Sequence, residues 1–381
     1  MRRRRKRSNG EGTVYPRSDG RWGATILLAD GSRGTVYART ERDALEKMRE
    51  LMRARDKGMP VITSNQTTGK YLEQWLEDTA RPSVRPKTYD SYRLNVQRLL
   101  PLIGSIRLGN LSPAHVQSAY AALHRRGLSP RSIHHAHTVL HGALGKAVRW
   151  GMITRNPTDG ATRPRIPRRE MNTLNRDEVQ RLFEATEEDQ CHHALWVVLA
   201  TTGLRLGEAL GLRWEDIDLE RGRLTVRRAL QRQRQKGLVF VEPKSSHSRR
   251  TVDLAARTVA TLTRHRILQN KARLKSGAAA DAPYSVFCHE NGLPLDASGV
   301  TRRFDKILKA AGLPDIRVHD LRHTAASLLL LGQVHPKVVQ EMLGHSTITL
   351  TLDTYSHLVP SLQAQVADHM DQLFGFPAES A

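Results

Sequence analysis

Only two cysteines occur among the 381 residues, Cys191 and Cys288. Two thiols build neither the disulfide framework of a small secreted domain nor the usual cysteine-rich zinc set, so a reducing intracellular compartment is expected. No apolar run reaches the about 18 residues of a membrane span, and the mean hydropathy is −0.49. The N-terminus, Met1 followed by Arg2 to Arg5, Lys6 and Arg7, lacks the apolar core of a secretory signal. Residues 1–11 read instead as a disordered basic arm. Acidic residues are also in deficit: 38 Asp+Glu face 60 Lys+Arg, a formal net charge of +22. Such an excess predicts a polyanionic partner, because each neutralised phosphate releases a counterion. Nucleic acid is favoured over an anionic membrane surface, since the basic residues are spread along the whole chain.

Short strands are expected at Thr13-Val14-Tyr15, Arg21 to Leu28 and Gly34 to Tyr37, with Ser18-Asp19-Gly20 and Asp30-Gly31 as turns. Thr40 then caps a helix whose Ala44, Leu45, Met48, Leu51 and Met52 share one face. Residues 12–57 thus read as a three-stranded sheet backed by a helix, with Arg17, Arg21, Arg33 and Arg39 on its open face. Such a ribbon can enter a DNA major groove; the bland alternative is a solvated basic face. Residues 58–67 read as a linker, and 68–155 as an all-helical block. There Ser112-Pro113 and Ser129-Pro130 each open a helix, Ser as the cap and Pro in the first turn. The last of these helices carries His134, His135, His137 and His141. His137 and His141 have a spacing that could hold a metal, but no third ligand is near, and all four are expected beside Arg131 and Lys146 on a polar, DNA-facing side. Residues 156–172 hold three prolines and many arginines and read as an extended basic linker. The last domain, 173–381, opens at an Asn175/Glu178 capping box. The fold class is multi-domain and mainly α with small β-sheets, the last domain being α+β.

Within that domain a buried helix, Ala194 to Ala200, delivers Thr202-Gly203-Leu204-Arg205-Leu206-Gly207-Glu208. Gly203 lets the chain turn, so Arg205 points out of an apolar surround. An arginine without a charged partner there would be costly; a phosphate suits it, and a surface pair with Glu208 is the plain alternative. Strands are expected at Arg223–Val226, Leu238–Phe240 and Arg250–Leu254, with Lys244 on the turn between the last two, and a further short strand at Ser285-Val286-Phe287. Next, His319-Asp320-Leu321-Arg322 sets an imidazole and a guanidinium one helical turn apart. Leu343-Gly344-His345 adds a second imidazole, and Tyr355 a phenol. Arginine offers a donor fork matched to phosphate oxygens. Histidine moves protons near neutral pH, and a tyrosine oxygen can form a covalent intermediate. No acidic cluster suited to a divalent metal accompanies them.

Arg205 with Glu208, Lys244, His319-x-x-Arg322, Leu343-Gly344-His345 and Tyr355, in this order, resemble the signature of the tyrosine recombinases, the phage integrase family. The resemblance implies that Tyr355 is the nucleophile and that Arg205, Lys244, His319, Arg322 and His345 are its catalytic partners, with Glu208 supporting Arg205. It implies cleavage of DNA through a 3′-phosphotyrosine and a free 5′-hydroxyl, integrating or excising a phage or mobile element without metal or ATP. It further implies that 12–57 binds arm-type sites, that 68–155 binds core-type sites, and that four subunits assemble on DNA. The apolar tail after Tyr355 would then dock on a neighbouring subunit, the plain alternative being an amphipathic helix that completes its own core. A host DNA-bending protein and an excision factor are expected accessories, and a nucleoid-associated cytoplasmic location in a bacterial host is expected, with no membrane. Arg17, Arg21, Arg33 and Arg131 are the expected DNA contacts outside the catalytic set. Two alternatives remain: a non-enzymatic multi-domain DNA-binding regulator, and a strand-passing enzyme like a type IB topoisomerase.

Overall fold

A computed structural model describes residues 12–27, 33–56, 66–167, 172–234, 236–243, 249–276 and 285–349, together with 370 and 373–374. The basic arm, the Asp30-Gly31 turn, most of the 58–67 linker, Lys244, Tyr355 and nearly all of the tail after it lie outside the described residues. The chain divides into two compact units, 1–168 and 169–381.

In the first unit, β1 (Thr13–Pro16), β2 (Trp22–Leu27) and β3 (Arg33–Ala38) form an antiparallel sheet in that order, followed by α1 (Glu41–Asp56). Alternation along the strands sends Ala24, Ile26 and Ala38 toward Ala44 and Met48 of α1. Tyr15, Thr25, Arg33, Thr35 and Tyr37 fall on the other face by register. A Cβ on Gly23 would sit 2.8 Å from the Tyr15 ring that crosses it, so any larger residue there would have to displace that ring.

The helical block comprises α2 (Thr68–Gln74), a π-helical turn (Trp75–Ala80) leading into α3 (Arg81–Ser83), then α4 (Pro86–Ile103), α5 (Pro113–Arg125) and α6 (Pro130–Arg149). Ser112 and Ser129 accept the backbone N–H of His115 and Ser132, so both Ser-Pro openings cap as their chemistry dictates. Tyr71, Leu72, Leu99, Ile103, Leu140 and Leu144 fill the core. Two expectations change. His137 is buried, not on a polar face: it lies on the same stripe of α6 as Ile133, Leu140 and Leu144, with Nδ1 2.8 Å from the Tyr120 hydroxyl. Burial lowers its pKa to about 4. The expected extended linker also begins later. Pro157–Gly160 is a 3-10 turn, and its Thr158 hydroxyl lies 2.9 Å from His141 Nδ1.

The second unit contains α7 (Arg176–Thr186), α8 (His193–Thr202), α9 (Leu206–Leu210), β4 (Ile217–Asp218), β5 (Arg223–Val226), β6 (Ala229–Gln233), β7 (Gly237–Val241) and β8 (Arg250–Asp253). It continues with α10 (Ala256–Ser276), α11 (Ala297–Ala310), α12 (Asp320–Leu331) and α13 (Pro336–Leu343). The sheets run β4-β5-β8 and β6-β7. Helix α8 is apolar on every side and buried from Ala194 to Ala200, the pattern of a helix packed all round. The strand expected at Ser285–Phe287 is replaced by isolated bridges at Ser285 and Cys288. The reason is local: Val286 donates to the Leu212 carbonyl and its own carbonyl accepts from His265 Nε2, so a loop and a helix use the backbone groups a ladder would need. Both cysteines are free thiols, and burial pushes Cys288 up to about 11. Among the described residues, no helix is long and apolar enough to cross a membrane.

Candidate active site

The site is built where α8 ends. Gly203 closes that helix in the left-handed conformation, at φ 61°. A Cβ on it would lie 2.6 Å from Leu343 Cδ2 of α13 and 3.7 Å from Arg322 Cγ of α12. The missing side chain therefore lets three helices meet, and the chain leaves the turn at Arg205.

Arg205 sits just before α9 and donates from Nη1 to Glu208 Oε1 at 2.7 Å, while its backbone N–H donates to Glu208 Oε2 at 3.1 Å. Its side chain keeps 40% of its surface open, whereas that of Glu208 keeps 6%. The carboxylate thus holds the guanidinium by one edge and leaves the rest of the fork facing solvent. The surface-pair alternative for these two residues fails at Glu208, which is buried. Burial raises the Glu208 pKa, but Arg250 and then Arg205 outweigh it, so the carboxyl stays below its ordinary range and charged.

Arg322, in the first turns of α12, is 3% exposed, and its Nη1 donates to the Gly203 carbonyl at 2.8 Å. That bond brings the second guanidinium to the turn that carries the first. At the start of the same helix, Arg317 grips Asp320 through Nε and Nη2 at 3.0 and 2.7 Å, fixing the residue next to His319. The His319 and His323 rings meet edge to face at 5.3 Å. His319 has a pKa lowered to about 4, first by partial burial of its ring and then by His323 and Arg322. The residue keeps an exposed edge, so solvent screens part of that effect.

His345 follows Gly344, the left-handed cap of α13. Its backbone is held from both sides by Gln340, whose carbonyl accepts the His345 N–H at 3.1 Å and whose side-chain amide donates to the His345 carbonyl at 2.9 Å. Burial, then Arg322 and Arg205, lower the pKa of this imidazole to about 4. Arg205, Glu208, His319, Arg322 and His345 are therefore brought into one electrostatic neighbourhood. Lys244 and Tyr355 lie outside the described residues.

The remaining expected contacts belong to the first unit. Arg17 lies over the Tyr37 ring at 4.6 Å, and Asp19 takes ion pairs from both Arg17 and Arg21. Arg33 and Arg131 are exposed at the starts of β3 and α6. Among the described residues, no group of three or more His, Cys, Asp or Glu is arranged to hold a metal ion.

Sequence reasoning missed Arg250. It lies on the inward face of β8 with Val252, and its Nη2 donates to Glu208 Oε2 at 3.0 Å. The available signal was the alternation of that strand, which puts a charge on its buried side and so requires a partner.

The phage integrase family description matches residues 172–361, and the SAM-like N-terminal domain of phage integrases matches 67–124. A tyrosine recombinase XerC-like protein of Caldanaerobacter subterraneus is 30% identical over 90% of this chain and 92% of its own length. An integrase of Saccharopolyspora erythraea is 28% identical over 98% of both chains. Among solved structures, the Tn1549 transposon integrase in complex with transposon right end DNA has a TM-score of 0.68 at 23% identity, covering 80% of this chain and 99% of that one. A lambda integrase dimer bound to a COC′ core site has a TM-score of 0.57 at 19% identity, covering 93% and 96%.

Proposed function

This chain belongs to the phage integrase family, the tyrosine recombinases, and is a site-specific DNA recombinase that cleaves and rejoins strands; within that activity we propose that Tyr355 is the nucleophile and that Arg205, Lys244, His319, Arg322 and His345 serve it. The Tyr355 oxygen attacks the phosphorus of a DNA phosphodiester. A 3′-phosphotyrosine forms, the bond to the 5′-oxygen breaks, and the freed hydroxyl leaves with a proton. Attack by a hydroxyl from another strand reverses the step and exchanges partners. The phosphotyrosine keeps the energy of the broken ester, so no ATP is needed.

Each role follows from an elementary requirement. Ionising a phenol of pKa about 10 at pH 7 costs about 4 kcal/mol, so a base is useful. His319 is neutral at pH 7 in the free chain, the state from which a base must start. An arriving phosphodiester brings negative charge, which raises the imidazole pKa toward the working range. Arg205 and Arg322 fork onto the non-bridging oxygens, where charge grows in the transition state. His345, neutral and held through its backbone, donates a further hydrogen bond. Lys244 protonates the departing 5′-oxygen. Fixed cations do here what magnesium does at other phosphoryl-transfer sites, and the buried carboxylates beside them are already engaged, Glu208 by Arg205 and Arg250 and Asp320 by Arg317.

The observation that carries this reading is the pair of guanidiniums joined at one turn, Arg205 on Glu208 and Arg322 on the Gly203 carbonyl. Residues 12–57 serve arm-type sites and 68–155 core-type sites, and the basic stretch after Gly160 joins the latter to the catalytic domain at 173–381. Arg17, Arg21, Arg33 and Arg131 meet phosphate or base edges. Duplex DNA is the partner and four copies act together on it, in the cytoplasm at the nucleoid of a bacterial host. Integration or excision of a phage or mobile element, helped by a DNA-bending protein and an excision factor, is the biological outcome. A pool of nicked random-sequence duplexes, enriched for those the enzyme captures covalently, tests the chemistry. The parent chain should yield detergent-stable protein–DNA adducts, and Tyr355→Phe should shift the same duplexes yet yield none. Adduct from Tyr355→Phe refutes the assignment. Relaxation of supercoiled DNA without any strand exchange would favour the strand-passing alternative.

A further inference from the structure

Arg250 has no part in the scheme above, yet its guanidinium links Glu208 to the Met342 carbonyl at the end of α13. We propose that Arg250 is a positioning residue that bolts together three strips of the active site: the Arg205–Glu208 turn, the strand leaving the Lys244 loop, and the end of α13 that presents His345. Glu208 divides its oxygens between two arginines, Oε1 to Arg205 Nη1 at 2.7 Å and Oε2 to Arg250 Nη2 at 3.0 Å. Arg250 Nε then donates to the carbonyl of Met342 at 2.6 Å. Met342 lies just before Leu343-Gly344-His345. The strand itself is fixed, since Arg250 is paired with Val226 of β5.

The Arg250 and Glu208 side chains are 7% and 6% exposed, so this link is shielded from water and salt. The geometry asks for a planar fork with donors on two edges, one toward a carboxylate and one toward a carbonyl. A lysine ammonium in the same place reaches one or the other, not both in register. Without the fork, Glu208 is free to turn and Arg205 loses the rigid backing that aims it, while the α13 end loses its tie to the sheet. DNA need not touch Arg250 for this to matter. Misplacing a catalytic group by about 1 Å costs about 100-fold in rate.

The inference rests on the catalytic reading above, and its test separates the two. Single-turnover cleavage of the enriched nicked duplexes is measured with the full chain as parent, Arg250→Gln, Arg250→Lys, Glu208→Gln and the Arg250→Gln/Glu208→Gln double variant. DNA affinity and thermal melting are followed alongside. Arg250→Gln should slow cleavage about 100-fold with affinity within about threefold of the parent, and Arg250→Lys should recover about tenfold. The double variant should lose less than the product of the two single losses, because both changes break the Arg250–Glu208 link, while Glu208→Gln alone also loosens Arg205. Cleavage by Arg250→Gln within about threefold of the parent overturns the inference. So does a loss wholly explained by weaker affinity or by the unfolded fraction, or a double variant whose losses multiply. If the parent itself forms no phosphotyrosine adduct, the catalytic reading falls first; if the parent cleaves and Arg250→Gln keeps pace, only the positioning role falls.

Discussion

Gly203→Ala is a one-methyl change at the point where α8, α12 and α13 converge, and its cost can be worked from the geometry. Holding alanine at a φ of 61° costs about 1–2 kcal/mol relative to glycine. The new methyl would stand 2.6 Å from Leu343 Cδ2, well inside van der Waals contact, and overpacking of this kind adds about 1–3 kcal/mol. The sum is about 2–5 kcal/mol, a large part of the roughly 5–15 kcal/mol that holds a domain folded. At about 2–4 °C per kcal/mol for a domain of this size, the melting midpoint of the catalytic unit should fall by about 4–20 °C. Relief of the clash must also push α13 or the Gly203 turn outward, and the Gly203 carbonyl carries the Arg322 bond. Below the melting range, the cleavage rate should therefore fall about 100-fold. The assay is a thermal melt by circular dichroism followed by single-turnover cleavage at a temperature where both proteins are folded. Truncating the clashing partner gives an internal control: Leu343→Ala should destabilise the Gly203→Ala background less than the parent. A Gly203→Ala protein that melts within about 1 °C of the parent and cleaves at its rate would refute the claim that this turn sets the site.

Acidification should weaken the helical block through His137, whose pKa is about 4 when folded and about 6.5 when unfolded. Between those values the unfolded chain binds more protons, so stability is complete above about pH 6.5 and falls as pH drops toward 4, by at most about 3 kcal/mol. The urea midpoint of this block should be lower at pH 5 than at pH 7.5, and His137→Gln should remove that dependence; an unchanged slope in the variant would assign it to another group. A chelator at a concentration that strips magnesium should leave the cleavage rate unaltered, and a rate abolished by chelation and restored by magnesium would show that the fixed cations do not suffice.

Local chemistry made much of this molecule legible in advance. Ser112, Ser129 and Asn175 cap because each has a side-chain oxygen one turn ahead of an orphan N–H, and Ser-Pro fixes the first turn. Turn signals and a helical period placed the three N-terminal strands and α1. Arg205, Glu208, His319, Arg322 and His345 stood out because their types and order match one chemistry, and the fold brings those five together. What escaped was long-range. His137 carries a polar label, but its place on the α6 stripe decides its burial. Ser285–Phe287 reads as a strand until Leu212 and His265 are seen to occupy its backbone. Arg250 is tied to residues 42 and 92 positions away, Glu208 and Met342; the alternation of β8 signals that it needs a partner but not which one.

The chain has 8 tyrosines, and the account stands on one of them. Proteolysis of the trapped adduct, followed by mass spectrometry of the nucleotide-bearing peptide, tests that most directly. A single modified peptide, carrying its nucleotides on Tyr355 through a 3′-phosphate, is the expected result. Modification of another residue, or linkage through a 5′-phosphate, would contradict it.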